Sequence, residues 1–367
     1  MDPAELSSRY GHFHVPAFAV RVDGQDAVRE LGLGISSVEV DRSLRAVGRF
    51  SFTVVGAYSI EKRAFLYGQG RALLDILRFG TPIAIALGYG SHKNLPTLLS
   101  GLITSIATQF PEGGAPELII SGYDHAFPMT LGKNTQQHRS QPDSAAIIEL
   151  ANTYNLDPDV RPTGEQHPQL EQNQESDFQF AQKLAERNHF ELYSTPERTL
   201  RFAPPRDRES ASLTLHWGAS LLSFQPEANL AGQVTDVEVV GWDPAQRSPI
   251  IGKAGAADTS GKDSGSLSSG EQLRKALGHS VLLRLRQPVL TEAEARRRAQ
   301  AILNECAKKF ITGDAETIGI PDLEPDSNVR LAGLGGPFDK TYYIQQAIHR
   351  MDSNGYRTRI KVKETSL

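Results

Sequence analysis

The sequence predicts a mainly β protein, two antiparallel β-barrel regions with a small α/β unit inserted between them. Three observations carry this. Short runs of period-two alternation, separated by glycine-marked turns, fill the first third. Near residue 140 the pattern changes to helical spacing. From about residue 211 it returns to strands, with one long helix among them. These shifts divide the chain into a first barrel region (1–131), an α/β insert (132–208) and a second barrel region (209–367).

The elements follow in order. Ala17 to Val22 places Phe18, Val20 and Val22 on one face and Arg21 on the other. Ser36 to Val40 follows the same logic, and in Arg49 to Val55 the residues Phe50, Phe52 and Val54 alternate with Ser51 and Thr53. One buried sheet face demands that spacing. Pro82 to Leu87 is a strand closed by Gly88-Tyr89-Gly90; Leu98 to Ala107 is broken by Gly101, and Glu117 to Ser121 completes the first region.

In the insert, Asp143 to Tyr154 reads as a helix with Ala146, Ile147, Leu150 and Tyr154 on one face and Asp143 as N-cap. The polar stretch Asp157 to Gln174 reads as a loop. A second helix runs from Ser176 to about Asn188 on a stripe of Phe178, Phe180, Ala181, Leu184 and Ala185. A hairpin follows, Phe190 to Tyr193 and Thr199 to Phe202.

Leu213 to His216, Leu221 to Phe224 and Val234 to Gly241 are strands. Residues 255–270, poor in anything but Gly, Ser, Ala and Asp, read as a flexible loop. Thr291 caps a long helix, residues 292–309, with Glu294 completing a capping box. Tyr342 to His349 and Arg357 to Lys363 flank Ser353-Asn354-Gly355, a strong hairpin signal.

Composition narrows the function. A chain of 367 residues with 39% hydrophobic and 22% charged residues is a folded protein of two or three domains. A net charge of −4 lacks the basic surplus of a generic nucleic-acid binder. One cysteine, Cys306, makes no internal disulfide, and in its helical run it reads as a small apolar residue. The N-terminus does not read as a secretion signal and no apolar run approaches a membrane span, so a cytoplasmic, soluble chain with no membrane insertion is expected.

Chemistry is sparse. Gly68-Gln69-Gly70 and Gly333-Leu334-Gly335-Gly336 lack the rest of a phosphate-binding motif and read as turns. His12 and His14 would share one face of a strand, but no third ligand is fixed beside them. Ser264 and Ser268 lie in the flexible run, where no nucleophile is held still. Glu171 and Glu175 sit in the polar loop as a solvated pair. No catalytic, cofactor-binding or metal residues are assigned, and the chain is expected to be neither an enzyme nor a cofactor protein.

Three segments together resemble one family. They are Leu74 to Leu77 with Gly80 to Tyr89 and Leu98 to Ile106; then Glu175 to Asn188, with its Glu-Ser-Asp-Phe start; then Val234 to Pro244, including Gly241-Trp242-Asp243-Pro244. Their order and spacing resemble the phage late control protein D family, which includes the hub half of the type VI spike protein VgrG and the hubs of contractile phage tails and extracellular injection systems. The resemblance spans residues 15 to 365. It implies a homotrimer in which two barrels per chain make a pseudo-sixfold ring, adapting a hexameric inner-tube ring to a trimeric spike protein beside other baseplate proteins. The particle would be cytoplasmic, membrane-attached or extracellular. Because the chain ends soon after the Asn354-Gly355 hairpin, the spike is expected on a separate protein.

Exposed Arg21, Arg49 and Thr53 are candidates for a lumen or a neighbour. Arg357, Arg359, Lys361 and Lys363 form one basic face of the last strand, either solvated or facing an acidic partner or tube lumen. Two other classes remain. A baseplate-associated cell-wall or glycan hydrolase would need an acid pair fixed across a cleft, best sought in Gln136 to Glu175. A carbohydrate-binding β protein would need exposed aromatics, and Trp217 and Trp242 are read as partly buried at strand ends.

Overall fold

The computed structural model describes residues 3–164, 166–260 and 266–367. Thirteen strands form one long sheet that runs through both β-rich regions. Its main members are β1 (Pro16–Val22), β2 (Gly34–Ser43), β3 (Arg49–Val55), β4 (Pro82–Tyr89), β5 (Thr97–Gln109) and β6 (Glu117–Asp124) from the first region. The insert contributes β7 (Asn134–Gln141), β8 (Asp157–Val160), β9 (His167–Glu175), β10 (Glu191–Ser194) and β11 (Thr199–Ala203), which form two small separate sheets. The second region adds β12 (Leu213–His216), β13 (Leu221–Ala228), β14 (Asp236–Asp243), β15 (Ser248–Gly255), β16 (Leu282–Arg286), β17 (Ile311–Ile318), β18 (Asn328–Ala332), β19 (Lys340–Asp352) and β20 (Gly355–Glu364). The helices are α1 (Pro3–Arg9), α2 (Asp143–Thr153), α3 (Asp177–Asn188), α4 (Ser269–Leu277) and α5 (Glu292–Ala307).

Across the long sheet the order is β13-β17-β20-β19-β2-β3-β6-β5-β4-β1, ending on the two-residue strand Gln25–Asp26. β19 is the joint between the regions. Its first residues pair with β18, while Gln346 to Met351 pair with Ser43 to Val38 of β2 on the same side. The C-terminal hairpin thereby reaches the first core, where Met351 and Tyr356 join Val38, Phe52, Ile85 and Leu118. The N-terminus crosses the other way: Leu6 and Tyr10 pack in the second core with Leu215, Ile311, Tyr342 and Val362. α2, α3 and the strands of the insert enclose a third cluster around Phe180 and Phe202. A fourth lies between α5 and the sheet β15-β14-β16.

Period-two alternation places the strands well. β3 buries Phe50, Phe52 and Val54, and β20 buries Tyr356, Thr358, Ile360 and Val362. The mainly β class, with its α/β insert, is the observed one. Several local expectations need correction. Gly101 does not break β5, which runs on through it; the glycine is there because a Cβ would collide with the Tyr123 backbone of β6. Asp143 is the first residue of α2 and not its cap, which is Pro142. Thr291 does cap α5, accepting from the Glu294 N–H, but the Glu294 carboxylate reaches the N–H of Leu290 instead of closing a box. The helix ends at Ala307.

The polar stretch read as a loop forms β8 and β9. β9 pairs antiparallel with β7 across α2 and β8 in a two-stranded ladder with almost no apolar side chains, in which Leu170 is buried. Residues 255–270 also hold more structure than a flexible loop. Gly255 ends β15, a short 3-10 turn follows, and Ser268, fully buried, caps α4 through a capping box with Glu271. The reading for 261–265, Ser264 included, falls outside the described residues. Among the described residues no helix is long and apolar enough to cross a membrane.

Candidate functional surface: the polar face of the long sheet

The strands from β13 across to β6 turn the residues between their core positions outward, and the strand registers align them in rows. One row reads Ser223, Glu316, Arg359, Ile348, Asp41, Arg49, Tyr123, crossing β13, β17, β20, β19, β2, β3 and β6. The next reads Arg357, Arg350, Glu39, Ser51, Ser121, Ser105. The face therefore spans both cores without interruption. Shallow depressions of about 340, 520 and 380 Å³ lie along it.

The charges on this face are mixed in sign, and most pair with an opposite charge. Arg49 bonds Asp41 at 2.7 Å, which also accepts from the Gln346 amide at 2.7 Å. Arg350 lies 3.5 Å from Glu39 and 2.9 Å from Asp352, and Arg357 and Arg359 share Glu316 at 3.0 and 3.7 Å. The hydrogen bond to Asp41 holds the Arg49 guanidinium above its ordinary value despite partial burial. Exposed pairs of this kind add about 0–1 kcal/mol each, so their main effect is to leave a hydrophilic wall with little net field.

At one end the same face is covered. The outward positions after Lys361 and Gln346 are Lys363 and Tyr343, and here the insert and α5 close over the sheet through two polar joints. In the first, Asp326 is 1% exposed and accepts hydrogen bonds from the hydroxyls of Tyr343 (2.8 Å) and Tyr193 (3.1 Å), from Arg201 Nε (3.1 Å) and from the Arg206 N–H (2.9 Å). Burial and the neighbouring carboxylates drive both phenols well above their ordinary range. In the second, Arg45 bridges Glu191 (3.1 Å) and Glu305 (3.2 Å), and its N–H bonds the Leu192 carbonyl. Lys308 pairs with Asp207 at 2.8 Å nearby. Buried polar groups need partners to offset desolvation, and here nearly every charge has one.

The chain matches the family described as the Alg8 N-terminal domain over residues 13–353. It belongs to that family. No curated protein matches the chain. Among solved structures, the chain superposes on the 43 kDa tail protein of prophage MuSo2 from Shewanella oneidensis with a TM-score of 0.69, at 14% identity over 95% of this chain and 98% of that one. A tail protein from Neisseria meningitidis MC58 gives 0.67, at 13% identity over 96% and 97%. The E. coli c3393 protein, described as a type VI secretion component with structural similarity to the T4 tail proteins gp27 and gp5, gives 0.57, at 10% identity over 94% and 76%. At such identities the likeness establishes the fold, which is that of phage-tail and VgrG-like proteins and does not single out the late control protein D family.

Of the residues selected from sequence, Arg49 and Thr53 lie on the polar face, and Arg21 lies further round the sheet on β1, opposite Ala84. Arg357, Arg359 and Lys361 are exposed along it, whereas Lys363 is half-buried in the joint, where burial and Lys308 hold its ammonium below its ordinary value against Glu305 and Glu191. His12 and His14 are not on a strand: they lie in and just after a 3-10 turn. Among the described residues no group of His, Cys, Asp or Glu is placed to hold a metal. Glu171 and Glu175 sit on β9, not in a loop, and Glu175 pairs with Lys183. Trp217 and Trp242 are not partly buried; they are 62% and 60% exposed. Gly333 to Gly336 lies between β18 and β19, a connection that includes a 3-10 turn. Cys306 is half-buried in α5, and burial raises its thiol pKa. Sequence reasoning missed Glu316, Arg350, Arg45 and Asp326. Glu316 was legible in the alternation of Thr312, Asp314 and Glu316, whereas Asp326 sits in an irregular segment at φ 64 and gave no pattern.

Proposed function

We propose that the chain is a structural, non-enzymatic baseplate hub of a phage tail or contractile injection system. Three copies form a ring in which the two β-rich regions of each chain, 1–131 and 209–367 with the insert 132–208 between them, stand as pseudo-equivalent units. The ring adapts a hexameric inner tube to a trimeric spike protein within a baseplate. The observation that carries this reading is the uninterrupted polar face spanning both cores, because a wall that lines a water-filled passage needs exposed, self-paired charge and few apolar groups. The fold shared with tail proteins over nearly the whole length of both chains supports it. No observation favours the glycan-hydrolase alternative: Glu171 and Glu175 lie along one strand and Glu175 is held by Lys183.

The test is the mass of the purified protein in solution, alone and mixed with the spike candidate from its own gene cluster. A trimer, or a complex with three copies of each, is expected. A chain that stays monomeric with the spike and in the assembled particle overturns the proposal.

A further inference from the structure

Among the described residues, the small sheet β15-β14-β16 is covered on one side only. α5 packs Ala295, Ala299 and Leu303 against Val237, Val239, Ile250 and Ala254. The packing is close enough that a Cβ on Gly252 would run into the backbone of Ala295 and Arg296. The opposite face bears Trp242 beside Pro249, then Val240 between Ile251 and Arg286, then Glu238 between Lys253 and Arg284. Trp242, Ile251 and Leu282 on this face are 60%, 40% and 50% exposed.

Two features set this face apart from an ordinary solvated surface. β14 pairs antiparallel with β15 but parallel with β16, and parallel pairing is found mostly in sheets covered on both faces. An exposed tryptophan contiguous with aliphatic side chains and rimmed by charge is the usual anatomy of an interaction site. The charge is one-sided. Glu238 is clamped by Arg284 at 2.7 Å and Lys253 at 3.2 Å, and Asp236 by Arg274 at 3.4 Å, while Arg286 has no ion-pair partner among the described residues. Two cations share Glu238 and a third, Arg286, stands across Val240 from Ile251, so the open face carries a surplus of positive charge around an apolar strip.

We infer that the open face of β15-β14-β16 is the docking site for an acidic segment of another protein of the same assembly, which seats an apolar side chain against Trp242 and Ile251 and sets carboxylates on Arg286 and Arg284. This rests on the baseplate reading. The test places a photo-crosslinking amino acid at Ile251, and separately at Leu282, in particles assembled from the native gene cluster, with a second label at Ile60, 82% exposed and outside this face, as control. The same particles are assembled with Arg286→Glu, which leaves the Arg284–Glu238 pair in place.

The expected result is a cross-link from positions 251 and 282 to an acidic peptide of a different component, reduced at least tenfold by the Arg286 charge reversal, with the melting temperature of the purified chain unchanged. If the chain enters particles but positions 251 and 282 cross-link to nothing, to a basic peptide or to another copy of this chain, the docking site is wrong and the baseplate reading stands. If the chain is absent from purified particles, both fall.

Discussion

The long sheet and the small sheet both leave one face open to water, yet they leave different things there. On the long sheet the open rows are Arg, Glu, Asp, Ser and Gln, bonded to one another across strands, with Ile348 among the few apolar members. On the small sheet the open face carries Trp242, Ile251 and Leu282 with an unmatched Arg286. A wall that stays wet gains by satisfying its own charges; a face that is to be covered keeps apolar area and unmatched charge for its partner. Exposure alone does not separate the two. What separates them is whether the polar groups already have partners.

The comparison can be broken most sharply where the long sheet changes from open to covered. Asp326→Ala strips four donors of their acceptor at the joint with the insert, and should cost about 3–5 kcal/mol in urea unfolding. A cost under about 1 kcal/mol would mean that the covered end is no different from the open one. On the small sheet the two faces can be set against each other at adjacent residues. Gly252→Val forces α5 off the sheet and should lower stability by about 3 kcal/mol. Ile251→Ser, one residue earlier and facing out, should stay within about 0.5 kcal/mol.

Acidity gives an independent reading of the first core. Burial raises the Asp124 carboxyl to about 7, although the N–H groups of Gly48 and Ala126 bond it and Arg42 is near. A carboxyl raised in the folded state binds its proton more tightly there than when unfolded. Its contribution is therefore fully present below about pH 4, and is lost as the pH rises to about 7, on the order of 4 kcal/mol in all. Buried His349, lowered to about 3 by desolvation, acts in the opposite sense, costing stability as the pH falls below about 6.5. Asp124→Asn should remove the first slope and leave the second, which urea titrations of both proteins between pH 4 and 7.5 would show. The smallest effect belongs to the wet face: Glu316→Gln, which frees Arg357 and Arg359, should change stability by less than about 1 kcal/mol, and less still in 0.5 M salt.

Legibility followed the presence of an apolar stripe. β3, β20, α3 and the last hairpin were all readable because one face of each is buried and the alternation prints that fact on the sequence. β7 and β9 were not. Their ladder is Gln, Asn, Thr and Glu, held by backbone pairing and by Gln172, which donates to Asp177 at 2.8 Å, so there is no hydrophobic period to find. α4 was hidden in a Ser/Gly run, though Ser268 with Glu271 three residues on was a capping signal in plain view. Trp242 was misread because a tryptophan at a strand end is ordinarily half-covered, and only the missing second layer over the small sheet leaves it out.

Sequence by itself determined the mainly β class, the main strands of both cores and the basic stripe on the last strand, since each depends on local periodicity or composition. Tertiary structure decided the rest. It decided that β19 joins the two regions into one sheet, that chain ends exchange between cores, that Lys363 is drawn into a joint while Arg359 stays wet, and that one small sheet keeps a face bare. These depend on pairings between residues hundreds of positions apart, and no local pattern records which strand a strand will meet.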